Sequence, residues 1–217
     1  MKKLIIFDCD GVLVDSETLA SQVFSRQLQH EGIEYSPEEC LKAFKGFTLQ
    51  RCLELLNERG HNLDDQFINR LSETTRSCFE KDLKVVDGVQ SVLESLNQLG
   101  VEYCVASNGS LAKVKHSLRC VGLERYFGSR CFSAEMVENG KPEPDLFLFA
   151  AQSLGYLPQH CAVVEDSTSG VIAANRARMN VWFYDEANAN ADIGEIFECT
   201  RFESMHQLIR RLGFHPA

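Results

Sequence analysis

Four carboxylate side chains stand where two predicted strands end. Asp8 and Asp10 follow one short apolar run near the start of the chain, and Glu165 and Asp166 follow another. Because ligands in open α/β sheets bind beyond the carboxyl ends of the strands, we expect these side chains to meet in one place. Carboxylates at close range repel one another unless a cation neutralises them, and ligation by oxygen alone suits Mg²⁺. The pattern therefore predicts an Mg²⁺ site formed by Asp8, Asp10, Glu165 and Asp166.

Two further clusters carry groups that bind anions. Ser107 and Asn108 follow another predicted strand and precede a helix, where hydroxyl, amide and main-chain N–H groups can donate to phosphate oxygens. Lys141, in a loop between glycine and proline, supplies a fixed positive charge. A complete phosphoryl-transfer site needs a carboxylate nucleophile, a metal ion and a lysine that spread the charge, and a second carboxylic acid that protonates the leaving oxygen. The clusters contain all of these residue types.

The elements that must position these clusters alternate between strand and helix. Apolar residues at helical spacing separate the apolar runs, and these helical segments end at Gly100, Gly122 and Gly155, a residue type that favours a helix C-cap. Such alternation predicts an α/β fold with an open, parallel, doubly wound sheet. The predicted strands are Leu4–Phe7, Val101–Ala106, Ala162–Val164 and Val181–Tyr184, with a weaker candidate at Arg130–Ser133.

The stretch between the first strand and the rest of the predicted sheet has a different character. It contains no convincing strand pattern, shows helical periodicity, and includes the helix-start signal Ser36-Pro37-Glu38-Glu39. We expect four or five helices here. The predicted organisation is an α/β core domain of residues 1–15 and 87–217 with an inserted α-helical domain of residues 16–86.

Length, charge and cysteine usage limit the classes of function. The 217 residues suffice for one core with a large insert, and 44% hydrophobic with 24% charged residues is typical of a globular chain. The net charge of −9 argues against nucleic acid or an anionic membrane as the main partner, and no apolar run is long enough to span a membrane. Nine scattered cysteines without a C-x-x-C spacing predict reduced thiols in the cytoplasm. The oligomeric state stays open, and a monomer is compatible with the sequence.

Four motifs in order carry a family resemblance. Asp8-Cys9-Asp10-Gly11 resembles the first motif of the haloacid dehalogenase-like superfamily, Ser107-Asn108-Gly109 its second, Lys141-Pro142 its third, and Glu165-Asp166-Ser167 its fourth. The motifs span the whole chain at family-like separations. The sequence departs from the common pattern at Val12, where many members have threonine, and this change leaves the carboxylates untouched.

The resemblance implies a catalytic role for each matching residue. Asp8 would be the nucleophile that forms an aspartyl-phosphate. Asp10 would be the general acid and then the base for water. Ser107 and Asn108 would hold the phosphoryl group, and Lys141 would neutralise Asp8 and the phosphoryl oxygens.

The resemblance also implies a metal site, an architecture and a substrate class. Mg²⁺ would be bound by Asp8, the main-chain carbonyl of Asp10 and Asp166, with Glu165 ligating directly or through water. The core would be Rossmann-like and the helical insert would be a cap, as in the subgroup that contains phosphoglycolate phosphatase, β-phosphoglucomutase and small sugar-phosphate phosphatases. The implied activity is Mg²⁺-dependent hydrolysis of a sugar phosphate or a sugar-acid phosphate such as 6-phosphogluconate.

One segment of the insert carries a candidate for substrate selection. Gly46 interrupts the helical pattern, and cations stand nearby at Lys45 and Arg51. In the resembling subgroup a cap loop at this place contacts the leaving group, so Lys45, and with less support Arg51, are predicted to help select the substrate. Equally, Gly46 could only separate two helices while Lys45 is solvated.

Other classes of function stay open at the level of sequence. A phosphosugar mutase of the β-phosphoglucomutase type would use the same residues and transfer the phosphoryl group to another sugar hydroxyl. A non-enzymatic phospho-acceptor or sugar-phosphate-sensing module would also use an aspartate, a lysine and Mg²⁺, although it needs neither the acid Asp10 nor a large insert. A dehalogenase needs neither an acid two positions after its nucleophile nor an Mg²⁺ cluster, so Asp10 argues against this class. A phosphonate hydrolase needs a Schiff-base lysine, for which Lys45 is the candidate.

Overall fold

The computed structural model describes residues 3–44, 47, 49–185 and 197–211. The chain divides into two compact units, residues 1–14 with 85–217 and residues 15–84. Each unit contains a cluster of buried apolar side chains of its own. Burial of apolar surface is the main favourable contribution to folding, so each unit has its own source of stability.

A six-stranded parallel sheet forms the centre of the first unit. Its strands are β1 (Leu4–Phe7), β2 (Glu102–Ser107), β3 (Cys131–Ser133), β4 (Cys161–Glu165), β5 (Asn180–Tyr184) and β6 (Thr200–Phe202). The strand order is β3-β2-β1-β4-β5-β6, and every neighbouring pair is parallel. The direction of winding reverses between β1 and β4, which makes the gap beyond their carboxyl ends the place where ligands bind in such sheets. The predicted α/β fold is therefore confirmed.

The strands form where the sequence offers unbroken apolar runs. All four residues of β1 are buried, as expected for a central strand covered on both faces. The weaker candidate near residue 130 also forms a strand, as β3. In contrast, β6 is not predicted, because Thr200, Arg201 and Phe202 make a short and mostly polar run. This strand forms at the sheet edge by pairing with β5, a long-range contact that local sequence does not reveal.

The second unit consists of helices in its described part, with no strand there. Its capping signal forms as predicted, since the Ser36 hydroxyl accepts a hydrogen bond from the Glu39 main-chain N–H at 3.1 Å and the Glu39 carboxylate accepts one from the Ser36 N–H at 2.7 Å. This reciprocal pairing fixes the start of a helix. The helices are α1 (Ser16–His30), α2 (Pro37–Phe44), α3 (Leu49–Glu58) and α4 (Asp65–Asp82).

Helices of the first unit connect the strands and pack on the sheet. Two of them begin directly after a strand end, at the caps Ser110 and Ser167, whose hydroxyls accept hydrogen bonds from main-chain N–H groups in the first turn. Both helix N-termini therefore lie at the carboxyl edge of the sheet. The helices are α5 (Val89–Leu99), α6 (Leu111–Cys120), α7 (Glu124–Phe127), α8 (Asp145–Ser153), α9 (Thr168–Arg176) and α10 (Met205–Arg211).

None of the helices in the described ranges combines the length and apolarity that crossing a bilayer requires. The nine cysteines all lie in the described part of the chain, and each is a free thiol.

Candidate active site

The register of three neighbouring strands brings the predicted clusters together. Phe7 pairs with Val105 on one side and with Val164 on the other, so the residues that follow in each strand reach the same level of the sheet. The main-chain N–H of Asp8 continues this register by donating to the carbonyl of Val164 at 2.9 Å. Asp8 and Glu165 thus lie side by side at the carboxyl edge, as the sequence pattern predicts.

Lys141 joins these two carboxylates. Its ammonium group lies 2.6 Å from Asp8 Oδ1 and 2.6 Å from Glu165 Oε1, and its side chain is only 3% exposed. The ammonium also lies 4.8 Å from the centre of the Phe147 ring, within range of a cation–π contact. Burial lowers the pKa of Lys141, but the charges of both carboxylates and their hydrogen bonds raise it more, so the net shift is upward. Lys141 is a fixed cation at this site.

The loop that carries Lys141 is held by Asn108, which directly follows the end of β2. Asn108 Oδ1 accepts a hydrogen bond from the Lys141 main-chain N–H at 2.8 Å, and Asn108 Nδ2 donates to the Lys141 carbonyl at 3.0 Å. A Cβ atom added at Gly140 would lie 2.7 Å from Asn108 Oδ1, so only glycine permits this close approach. Sequence reasoning assigned Asn108 to phosphate binding and missed this contact. The phosphate-binding role stays a prediction.

Glu165 is fully buried, and both of its carboxylate oxygens have protein partners. Oε1 accepts from Lys141, whereas Oε2 accepts from the main-chain N–H groups of Asp166 and Ser167, at 3.0 and 2.9 Å, and from the Ser167 hydroxyl at 2.8 Å. A Cβ atom at Gly170 would lie 1.9 Å from the Glu165 carboxyl group, so this carboxylate fills space that a side chain at Gly170 would need. Glu165 therefore fixes Lys141 and the start of α9.

Three carboxylates form a group that could hold a metal ion. Asp8, Glu165 and Asp166 each offer an oxygen, and these oxygens lie within 4.8 Å of one another. A Cβ atom at Gly11 would lie 2.3 Å from Asp166 Oδ2, so the glycine makes room for this carboxylate. Lys141 compensates only part of the negative charge. The donor set is oxygen alone, and it fits Mg²⁺.

The environment of Asp8 makes a second positive charge favourable. Burial raises the pKa of Asp8 to about 7, and the charges of Glu165 and Asp10 act in the same direction, whereas Lys141 lowers it. A cation placed beside Asp8 favours its ionised form, which is the form that can act as a nucleophile.

The Asp10 carboxylate is not part of this three-carboxylate group, where the sequence pattern predicts it, and it pairs with a residue that sequence reasoning missed. Its Oδ2 lies 2.8 Å from the ammonium group of Lys113, in the first turn of α6. The two side chains are 23% and 46% exposed, respectively. Burial lowers the pKa of Lys113, but the charge of Asp10 and the hydrogen bond to it raise it more. The signal in the sequence was a lysine at a helix start, where a cation is unfavourable.

Ser107 ends β2 and is buried beside this pair. Its hydroxyl accepts a hydrogen bond from the Gly109 main-chain N–H at 3.2 Å. A Cβ atom at Gly109 would lie 3.5 Å from the Ser107 hydroxyl and 3.9 Å from Asp10 Oδ2. Ser107 and Asp10 thus both lie close to Gly109, and the predicted part of Ser107 in phosphate binding stays a prediction.

The two predicted substrate-selecting residues belong to the helical unit. Lys45 lies outside the described residues. Arg51 lies on α3, where its guanidinium donates to Glu54 at 3.0 Å and to Glu58 at 3.1 Å on the same helix. These contacts do not test whether Arg51 helps to select the substrate, so this role stays a prediction.

Comparison with known proteins gives consistent matches. A family model described as haloacid dehalogenase-like hydrolase matches residues 5–184. A 6-phosphogluconate phosphatase from Escherichia coli (strain K12) is 32% identical over 184 residues, which cover 83% of this chain and 81% of that protein. A phosphorylated carbohydrates phosphatase from Thermotoga maritima is 32% identical over 175 residues, which cover 80% of each chain. A crystal structure of a HAD family hydrolase from Deinococcus radiodurans R1, with bound phosphate and sodium, has a TM-score of 0.87 at 27% identity and covers 100% of this chain and 99% of its own.

Proposed function

Because the chain belongs to the haloacid dehalogenase-like hydrolases, we propose that it is an Mg²⁺-dependent phosphatase of small sugar phosphates or sugar-acid phosphates, such as 6-phosphogluconate. The observation that carries this proposal is the buried contact of Lys141 with Asp8 and Glu165, next to Asp166. The two relatives reported above are named as a 6-phosphogluconate phosphatase and a phosphorylated carbohydrates phosphatase, which supports the substrate class.

In the first half of the reaction, an Asp8 carboxylate oxygen attacks the phosphorus atom of the ester. The bond between phosphorus and the ester oxygen breaks, and the protonated carboxyl group of Asp10 gives its proton to that oxygen, so the sugar leaves as an alcohol. Lys141 stabilises negative charge on the phosphoryl oxygens from a fixed position, since Glu165 and Asn108 hold it.

In the second half, the Asp10 carboxylate takes a proton from water as the water oxygen attacks the aspartyl-phosphate. The bond between phosphorus and Asp8 breaks, which releases inorganic phosphate and restores both carboxyl groups. Asp8, Asp166 and the main-chain carbonyl of Asp10 would hold Mg²⁺, with Glu165 close by. When bound, this ion would supply positive charge for the phosphoryl oxygens and for Asp8.

We also propose that residues 15–84 serve as the cap that selects the substrate, with Lys45 and Arg51 as candidate contacts. The support is the compact helical unit itself and the likeness of 83% of the chain to a 6-phosphogluconate phosphatase. A cytoplasmic location is part of the proposal, since nine free thiols suit a reducing compartment.

A phosphate-release screen tests the proposed activity. Purified protein would be assayed on sugar phosphates, phosphorylated sugar acids, phosphoglycolate, nucleotides and p-nitrophenyl phosphate, with Mg²⁺ and with excess EDTA. We expect release to depend on Mg²⁺ and to fall by more than about a thousandfold in Asp8→Asn. Asp87→Asn, at a 94% exposed side chain of the same unit, is the matched control and should keep full activity.

The outcomes separate the alternatives. Absence of Mg²⁺-dependent release on every substrate, or a folded Asp8→Asn variant with normal activity, would contradict the proposal. Transfer to a second sugar hydroxyl that requires a bisphosphorylated sugar activator would identify a mutase instead.

A further inference from the structure

The contact between Lys113 and Asp10 has no part in the reaction described so far. The two residues are 103 positions apart in the chain, yet their side chains meet at 2.8 Å beside the acidic cluster. We propose that Lys113 is a positioning residue, which holds the Asp10 carboxyl group in the orientation from which it protonates the leaving oxygen. This inference rests on the proposed function.

The local structure fixes where the lysine side chain starts. The main-chain N–H of Lys113 donates to the Ser110 hydroxyl at 3.2 Å, so the residue is locked in the first turn of α6 by the helix cap. The Leu111 main-chain N–H donates to Glu135 at 2.9 Å and ties the same turn to a neighbouring loop. A Cβ atom at Gly109 would lie 3.4 Å from Lys113 Cδ, so the lysine stem runs across the glycine toward Asp10.

Helix stability does not explain a lysine at this position. A cation in the first turn opposes the helix macrodipole, which favours acidic residues there. An ion pair in which the lysine side chain is 46% exposed adds little to the stability of the fold. A role at Asp10 accounts for a placement that the helix itself disfavours.

The geometry matters because a carboxyl group turns easily. Rotation about the Cβ–Cγ bond of Asp10 exchanges its two oxygens, and the torsion is broad for such terminal groups. The ammonium group donates to Oδ2 and fixes this torsion, so the proton for the ester oxygen is carried on the other oxygen, Oδ1, in one orientation. In the first half-reaction the proton passes from the Asp10 carboxyl group to the ester oxygen as the phosphorus–oxygen bond breaks. The same orientation serves the return of a proton from water to Asp10.

The test compares leaving groups of different basicity. We would measure kcat/KM, which reports steps up to formation of the aspartyl-phosphate, for the best sugar phosphate and for p-nitrophenyl phosphate. An alkoxide leaving group needs the proton from Asp10, whereas p-nitrophenolate leaves readily without it. In Lys113→Met we expect kcat/KM to fall between about tenfold and a hundredfold for the sugar phosphate and less than about threefold for the aryl phosphate.

Two further variants serve as controls. Lys113→Arg keeps a cation and should recover most of the sugar-phosphate activity. Lys115→Met, on the same helix, should behave like the unmodified protein. The thermal midpoint of Lys113→Met should change by less than about 2 °C, because the exposed ion pair contributes little to stability.

Equal losses on both substrates, or no loss on either, would overturn the inference. So would a rise in KM confined to sugar acids, since that result would assign Lys113 to substrate binding. If the unmodified protein hydrolysed no substrate, the proposed function would fail, and a crystal structure of Lys113→Met would separately decide whether Lys113 positions the Asp10 carboxyl group. An Asp10 carboxyl group that stays within about 0.5 Å of its position in the unmodified protein would then contradict it.

Discussion

Both polar groups of the Asn108 side chain form hydrogen bonds with the main chain of Lys141. Lys141 in turn gives its ammonium group to Asp8 and Glu165. The position of the Lys141 ammonium group therefore depends on the Asn108 amide, in addition to the part in phosphate binding that is predicted for this residue. A misplacement of about 1 Å at a reacting group can lower a rate about a hundredfold, so such supporting contacts affect catalysis directly.

Replacement of Asn108 tests this dependence. In Asn108→Ala, the N–H and C=O of Lys141 lose their partners, and we expect the free energy of unfolding to fall by about 1–3 kcal/mol. Activity with Mg²⁺ should fall between about tenfold and a hundredfold. Denaturant unfolding and phosphate release would measure the two effects. Asn139→Ala, at an exposed hydrogen bond to Asp145, is the control and should change stability by less than about 0.5 kcal/mol.

Gly170 offers a second test at the residue scale. Its Cα faces the buried carboxylate of Glu165 so closely that a Cβ atom would lie 1.9 Å from it. In Gly170→Ala, Glu165 must shift, so we expect a loss of about 1–3 kcal/mol in the free energy of unfolding together with a loss of activity. Thr168→Ala, at an exposed position of the same helix turn, should leave both unchanged. Normal activity in Gly170→Ala would show that activity does not require Glu165 at its present position beside Lys141.

At the scale of elements, the sequence predicts which strands end at the carboxyl edge of the sheet. It does not predict the contacts that hold the side chains in place there. Unbroken apolar runs identify the buried strands β1, β2, β4 and β5, because a strand covered on both faces needs apolar residues throughout. Once the strands are placed, parallel pairing puts their ends at one edge, and the polar residues found there follow. The short strand β6 lacks this signal, since only its pairing with β5 makes it a strand.

The same distinction applies within the candidate site. Asp8, Glu165 and Lys141 could be grouped from motif order and strand ends. In contrast, the contact of Lys113 with Asp10 spans 103 positions and that of Asn108 with Lys141 spans 33. These contacts depend on how a helix turn and a loop pack at the sheet edge. No local pattern in a single sequence encodes that packing.

The residues of the proposed metal site lie at the ends of two strands, and metal binding there can be tested without measuring catalytic activity. A ligand present at 100 times its dissociation constant stabilises the folded state by about 2.7 kcal/mol. We expect Mg²⁺ to raise the thermal midpoint of the unmodified protein and EDTA to reverse the rise. Asp166→Asn should fold normally and lose the shift, whereas Asp87→Asn should keep it. An Mg²⁺ shift that persists in Asp166→Asn would contradict the proposed ligand.

At the scale of the whole molecule, the two chain segments of the first unit that flank the helical unit lie next to each other. Val14 and Val85 form an antiparallel bridge, and the Val86 main-chain N–H donates to the Leu13 carbonyl at 3.1 Å. The ends of the first unit that flank the insert are therefore adjacent. Insertions whose ends lie close together disturb the host domain little, and the first unit has its own buried core.

This arrangement predicts that catalysis and selection can be separated. With residues 15–84 replaced by a short Gly-Ser linker, we expect the first unit to unfold cooperatively and to keep the Mg²⁺ shift and some p-nitrophenyl phosphatase activity. Its kcat/KM values should converge across sugar phosphates, because the proposed selecting contacts are gone. In the full chain, Arg51→Gln should reduce the differences in kcat/KM between sugar phosphates. Arg76→Gln, which removes an ion-paired side chain of α4 that is 75% exposed, should leave these differences unchanged. If both the excised protein and Arg51→Gln ranked substrates as the full chain does, selection would reside in the α/β unit.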